Sequence, residues 1–221
     1  MMIITPEVVL QAYAQGLFPM APSHDSDELD WYEAEKRGVI PLFKPHIPRR
    51  LLKTVLTGRY NVFTNRNFKD VIKACALRRE GRDETWISPK IDSLYCALHE
   101  LGYAHSVEVL NEKGDFVGGL YGVALGGAFF GESMVSFERD TSKIALIHLI
   151  AALREGGYRL LDTQFVTPHL ATMGCIEIDR SSYHSLLRQA LEIEATWPED
   201  ISLKALKRPI LELRNQSKGA V

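Results

Sequence analysis

One stretch, residues 105–166, constrains this chain more than any other. Residues 105–110 and 116–123 are strand-like runs on either side of Asn111-Glu112-Lys113-Gly114-Asp115. Two such runs around a short turn containing Gly read as a β-hairpin. A third strand-like run, 127–133, follows directly. Residues 141–155 then carry apolar side chains at helical spacing up to a stop at Gly156-Gly157. Residues 159–166 read as a strand, Thr167-Pro168 opens a short helix ending near Gly174, 175–178 reads as a last strand, and 181–192 as a helix. Antiparallel strands followed by helix, strand, helix and strand predict an α+β protein built on a mixed α/β sheet.

Upstream, Thr5-Pro6-Glu7 reads as a helix start, with Thr5 as N-cap and Pro6 in the first turn, and Gly16 as the stop. The segment from Leu17 to Asp30 has two prolines and an acidic cluster and reads as irregular. It marks a division into a small N-terminal domain, 1–37, and a main domain, 38–221. Residues 38–42 suit a short edge strand because of Pro41. A helix is expected over 48–56, a strand over 60–64 and a helix over 68–77. Ser88-Pro89 opens a further helix, with Ile91, Leu94, Tyr95, Leu98 and Leu101 in register and Gly102 closing it. Beyond Trp197-Pro198 a loosely attached tail is expected.

The 221 residues, 46% hydrophobic and 24% charged, are enough for a sizeable core. No apolar run approaches the roughly 18 residues of a membrane span, and the first residues lack the features of a signal peptide. Cys75, Cys96 and Cys175 are far apart and form no CxxC, which fits thiols in a reducing compartment. The expected location is cytoplasmic. The net charge of −2 conceals an asymmetry. Residues 1–35 sum to −7, residues 36–90 to +10 and residues 91–221 to −5. A basic middle third suits a polyanion, and solvated helix faces account for it equally well.

Familiar catalytic signatures are absent. There is no HExxH, no paired Cys/His cluster, no EF-hand loop, no GxSxG and no Walker loop, so neither a metal nor a nucleotide site is supported. The run GGLYGVALGGAFFG is Gly-rich but lies within strand, turn and strand. A dinucleotide fingerprint needs its glycines to lead from a strand directly into a helix.

Several segments together carry a resemblance. LHELGYAHSVEV, VGGLYGVALGGAFFGESMVSF, TSKIALIHLI and LLDTQFVTPHLATMGCIEI, in this order, closely resemble the leucyl/phenylalanyl-tRNA–protein transferases. PEVVLQAYAQGLFPM and the TWIS element at Thr85–Ser88 fit the same family, so the resemblance runs from about Pro6 to Leu187. It implies an acetyltransferase-like (GNAT-like) catalytic domain with a small N-terminal domain and no cofactor. It implies transfer of Leu, Phe or Met from the 3′ end of an aminoacyl-tRNA to proteins with N-terminal Arg or Lys, which marks them for N-end-rule degradation. A monomer without membrane attachment is expected.

The chemistry that the resemblance implies can be placed on residues. An ester becoming an amide runs downhill, and an α-amine with pKa near 7.7–8.0 has a neutral fraction at neutral pH. Much of the catalysis can therefore be positioning. The resemblance places a catalytic pair at Asp162 and Gln164. Two apart on a strand, they share a face. Asp162 would orient Gln164, whose carbonyl oxygen would accept a hydrogen bond from the amine. The resemblance puts Glu132 in the same site, to bind the acceptor's basic residue or the donor's amino group; a salt bridge to Lys143 or Arg139 is the alternative. Leu120, Phe129, Met134, Leu146 and Leu161 match the family's aminoacyl pocket, with core packing as the alternative for each. Trp86 and Tyr95 are candidates for stacking on the terminal adenosine. Met20 stands where family members often carry Trp, and Trp31 is a possible substitute. Arg37, Lys44, Arg49, Arg50, Lys53 and Arg59 would meet tRNA phosphates.

Two other classes compete. An acetyl-CoA N-acetyltransferase would need a Gly-containing loop entering a helix to hold the pyrophosphate, whereas SFERDTSK leads into residues 141–155 without Gly. A non-catalytic RNA-binding module would use the basic stretch but leaves GESM and LLDTQ without a role.

Overall fold

The computed structural model of the protein describes residues 4–77 and 84–216. Helix α1 (Pro6–Ala14) starts at Thr5, whose backbone is extended as an N-cap should be but whose side chain makes no capping bond. The segment expected to be irregular instead contains a two-stranded ladder, β1 (Phe18–Met20) against β2 (Asp30–Tyr32), in which Phe18 faces Tyr32 and Pro19 faces Trp31.

The chain then builds a seven-stranded sheet. In chain order its strands are β3 (Lys36–Val39), β4 (Asn61–Thr64), β5 (Ala104–Leu110), β6 (Phe116–Leu125), β7 (Ala128–Ser136), β8 (Leu160–Gln164) and β9 (Ile176–Asp179). Their order across the sheet is β4-β5-β6-β7-β8-β3-β9. All neighbours are antiparallel except β7 and β8. The expected hairpin joins β5 to β6. Asn111 Oδ1 accepts the backbone N–H groups of Lys113 and Asp115, and Gly114 supplies a positive φ of 86°. That is how an Asx turn makes Asn and Gly good turn residues.

Helices α2 (Arg49–Leu56), α5 (Thr141–Glu155) and α8 (Leu203–Gln216) pack together on one face of the sheet. Helices α1, α3 (Phe68–Ala76), α4 (Pro89–Glu100) and α7 (Arg180–Leu191) pack on the other. The short α6 (Pro168–Ala171) lies between β8 and β9. Side-chain caps start several of these helices: Ser88 Oγ accepts Ile91 N, Thr167 Oγ1 accepts Leu170 N and Asp179 Oδ1 accepts Ser182 N.

Two expectations are corrected. The strand near residue 38 is not at an edge: β3 lies between β8 and β9, and Pro41 falls beyond its end, where it removes no ladder bond. The residues after Trp197 are not a loose tail. Ile201, Leu206, Ile210 and Leu213 are buried against α5, and His148 on α5 bonds the carbonyl of Ile201 through Nδ1. The expected division at 37/38 falls within β3. Val9, Tyr13, Phe18 and Ala21 share one apolar cluster with Tyr95 and Phe130. Among the described residues no helix is long and apolar enough to cross a membrane.

Candidate active site

The site opens where two parallel strands part. β7 and β8 are paired only from Ala128↔Leu160 to Phe130↔Asp162. β7 runs on to Ser136 and β8 to Gln164, so beyond this pair a gap separates them. A bulge on β7 sits at the same level. In the β6–β7 ladder Gly122 faces Gly131 and Tyr121 faces Ser133, which leaves Glu132 as the extra residue. A bulge shifts the alternation by one and re-aims side chains. Phe130 before it and Val135 after it lie on the same face, although an unbroken strand would place them on opposite faces.

Glu132 lies half-buried at the wall of the gap. Tyr13 Oη donates to its Oε1 at 2.7 Å, Tyr95 Oη donates to its Oε2 at 3.0 Å, and Gln164 Nε2 donates to Oε1 at 3.2 Å. The two tyrosine hydroxyls touch each other at 2.5 Å. Burial pushes the Glu132 carboxyl up to about 7, against the pull of both hydroxyls. Asp162 adds to the rise and Arg37 offsets part of it. Burial, and next the charge of Glu132, hold Tyr13 and Tyr95 well above their ordinary value. The expected alternative of a salt bridge is not realised. Lys143 donates to Thr172 and Arg139 pairs with Asp140.

Gln164 ends β8 with a φ of +56°, in the left-handed region that favours glycine. The N–H of Phe165 reaches back to the carbonyl of Thr163 at 2.6 Å, so Gln164 is the centre of a three-residue turn. Non-Gly residues in this region cost about 1–3 kcal/mol and cluster at functional sites. Two contacts hold the turn. Asp162 Oδ1 accepts the backbone N–H of Gln164 at 2.8 Å. On the neighbouring strand Gly38 faces Gln164, and a Cβ there would lie 2.6 Å from the carbonyl carbon of Phe165.

This corrects the expected relay. Asp162 does not orient the Gln164 amide through a side-chain bond; it fixes the backbone, and Glu132 orients the amide. Asp162 is fully buried and receives Arg37 Nε at 2.9 Å, Arg37 Nη2 at 2.8 Å and Tyr183 Oη at 2.7 Å. Arg37 is 1% exposed and lies between the rings of Phe18 and Tyr183, with its Nη1 donating to the carbonyl of Gly16. Burial works against its charge, but Asp162 outweighs this and holds its pKa above the ordinary value. Arg37 is therefore not placed to meet phosphates: it ties β3, β8, α7 and the turn after α1 into one unit.

The gap holds a cavity of about 580 Å³, within the ordinary range for small-molecule pockets. Leu120, Met134, Leu146 and Leu161 line it, together with Leu149. Phe129 does not; it is fully buried, packed against Trp197 and under Gly122. Trp86 and Met20 stand at the wall, joined by a bond from Ala21 N to the Trp86 carbonyl. Tyr95 cannot stack on a ligand, because it is fully buried and its hydroxyl is committed to Glu132. Trp31 faces Pro19 in the small ladder and is not in the lining. Arg49, Arg50 and Lys53 form the exposed face of α2, opposite Leu51, Leu52 and Val55; Lys44 and Arg59 are also exposed.

Several site residues escape sequence reasoning. Tyr13 and Tyr183 look like core tyrosines on amphipathic helices. Phe165 lines the cavity yet is 48% exposed. Ser136, Ser142 and His169 form a polar edge to the cavity, linked through the Ser142 hydroxyl. Only the adjacency of Phe165 to Gln164 is a signal in the sequence.

A family model described as "Leucyl/phenylalanyl-tRNA protein transferase" matches residues 39–188, and one described as the N-terminal domain of the same family matches residues 2–35. The chain belongs to the leucyl/phenylalanyl-tRNA–protein transferase family. Relatives bearing that name are 54% identical over 96% of this chain and 93% of theirs in Gluconobacter oxydans (strain 621H), and 54% identical over 88% and 86% in Rhodopseudomonas palustris (strain TIE-1). Among solved structures the chain is similar to "The structure of L-PGS from Bacillus licheniformis", with a TM-score of 0.41 and 14% identity over 75% of this chain and 55% of that one. Glu132, Asp162 and Gln164 all lie within the segment that the larger family model matches, whereas Arg37 falls between the two matched segments and Tyr13 lies in the N-terminal one.

Proposed function

We propose that the protein transfers Leu, Phe or Met from the 3′-terminal adenosine of a charged tRNA to the α-amino group of an acceptor protein. Family membership supports the reaction class. The observation that carries the assignment to this site is one cavity with an apolar end at Leu120, Met134, Leu146, Leu149 and Leu161 and a polar wall at Glu132 and Gln164. The donor side chain would enter the apolar end. That end offers bulk and shape without polar readout, so neighbouring hydrophobic donors would differ by only about 1–3 kcal/mol. The adenosine would lie against Trp86, Met20 and Phe165, the exposed Phe supplying an aromatic face that Met20 lacks.

With its Nε2 on Glu132, Gln164 presents Oε1 to the attacking amine and holds it in near-attack geometry. A carboxylate offers about four acceptor positions, and three donors already reach Glu132. What remains suits a single N–H, not the forked face of a guanidinium. We assign the preference for N-terminal Arg or Lys to other parts of the cavity mouth. The same reading takes the domain as acetyltransferase-like, its parted parallel strands forming the slot for an acyl donor. It places the enzyme in the cytoplasm, as a monomer that marks proteins for N-end-rule degradation.

The test is single-turnover transfer from a panel of labelled aminoacyl-tRNAs to peptides starting with Arg, Lys or Ala. Transfer of Leu, Phe and Met, with little of Val or Ala, is expected. Gln164→Ala should lower the rate while leaving charged-tRNA binding intact. Near-wild-type turnover in that variant would remove Gln164 from the reaction.

A further inference from the structure

The triangle of Glu132, Tyr13 and Tyr95 has three oxygen–oxygen contacts, of 2.5, 2.7 and 3.0 Å. A hydrogen bond needs one proton per contact, and the two hydroxyls supply only two. With Glu132 ionised, both point at the carboxylate and the contact between the tyrosines has none. One more proton completes the ring: Glu132 donates to Tyr13, Tyr13 to Tyr95, and Tyr95 back to the second carboxylate oxygen. The triangle therefore has a place for one added proton, and its Glu132 corner lines the cavity, with Tyr13 and Tyr95 buried behind it.

We infer that Glu132, closed into this ring with Tyr13 and Tyr95, takes the proton from the attacking amine and returns it to the departing ribose oxygen. The inference rests on the transfer reaction proposed above. The neutral amine attacks the ester carbonyl carbon and forms the C–N bond, and the carbonyl electrons move onto oxygen. Glu132 takes one N–H proton. The intermediate then re-forms its carbonyl, the C–O bond to ribose breaks, and the ribose oxygen leaves with that electron pair and receives the proton. An ester and an amine become an amide and an alcohol, and Glu132 is ionised again.

The groups around Glu132 offer no better acceptor. Tyr13 from α1, Tyr95 from α4 and Tyr121 from β6 are buried phenols held well above their ordinary pKa, chiefly by burial. Arg37 from β3 is a cation, and Asp162 from β8 is closed off by Arg37, Tyr183 and the Gln164 N–H. Gln164 is too weakly basic to hold a proton. Burial places the Glu132 carboxyl near 7, where it can both accept and release a proton at neutral pH.

The measurement is kcat/KM for transfer to an Arg-starting peptide between pH 5.5 and 8. In the wild type both a neutral amine and an ionised Glu132 are needed, so log kcat/KM should rise with a slope of two at the acidic end. Glu132→Gln keeps the shape and loses the base: the slope should fall to one and the rate by about 10²–10⁴-fold. A wild-type slope of one, or Glu132→Gln within about threefold of wild type, overturns the inference. A wild-type slope of one overturns it even if a variant fails to fold, and a slope of two is assigned to Glu132 by its fall to one in Glu132→Gln. Absence of transfer by the wild type at every pH would instead strike the proposed function.

Discussion

A guanidinium at position 37 illustrates how far a residue's role depends on what it meets. Counted in sequence, Arg37 belongs to a basic stretch; in the fold it is one half of a buried, doubly bonded pair with Asp162. The site needs that pair, because Asp162 also holds the backbone N–H that keeps Gln164 at its positive φ. Removing one partner of a buried pair typically costs about 3–5 kcal/mol, since the other charge is left without compensation. Arg37→Met is expected to lose about that much in urea unfolding, with tRNA affinity of the folded protein little changed. A loss below about 1 kcal/mol, well short of the buried-pair cost, would mean that Asp162 does not depend on Arg37. That Glu132, Asp162 and Gln164 lie together was legible because motifs carry them. Tyr13 and Tyr183 were not, because a tyrosine that donates a buried hydrogen bond has the same periodic position as one that merely packs.

Most elements were legible, since their apolar spacing and caps agree: α5 has the bounds its periodicity implies, and the β5–β6 hairpin sits around its Asn111–Asp115 turn. The failures have physical causes. The bulge at Glu132 shifts burial by one residue within a run so apolar that both phases look alike. In α8, Leu206, Ile210 and Leu213 have helical spacing, but Pro209 inside the helix breaks the propensity signal. Burial of this helix against α5, the helix that also supplies Leu146 and Leu149 to the cavity, makes it part of the core. Ile210→Ala should therefore cost about 2–5 kcal/mol, measured by denaturant unfolding. A cost within about 0.5 kcal/mol, as for ordinary surface changes, would restore the picture of a loose tail.

Across the whole molecule the charge asymmetry divides into different uses. Arg37 is internal, whereas Arg49, Arg50 and Lys53 form an exposed face on α2; Arg78, Arg79 and Arg82, also in the basic third, lie outside the described residues. If that face meets phosphates, replacing Arg49 and Arg50 together by Gln should reduce the salt slope of tRNA binding by about 1.5, at 0.7–0.9 per contact. An unchanged slope would make the face a solvated one. The position of β3 has a consequence of another kind. Its residues, Lys36–Val39, are made early, yet both of their ladder partners, Leu160–Gln164 and Ile176–Asp179, come more than 120 residues later. Such distant pairings form slowly. On the ribosome β3 must wait until both partners have been made, and until it docks Asp162 has no arginine and Gln164 no glycine strand to turn against. Synthesis order thus keeps a nascent chain from presenting a finished site before its sheet is closed.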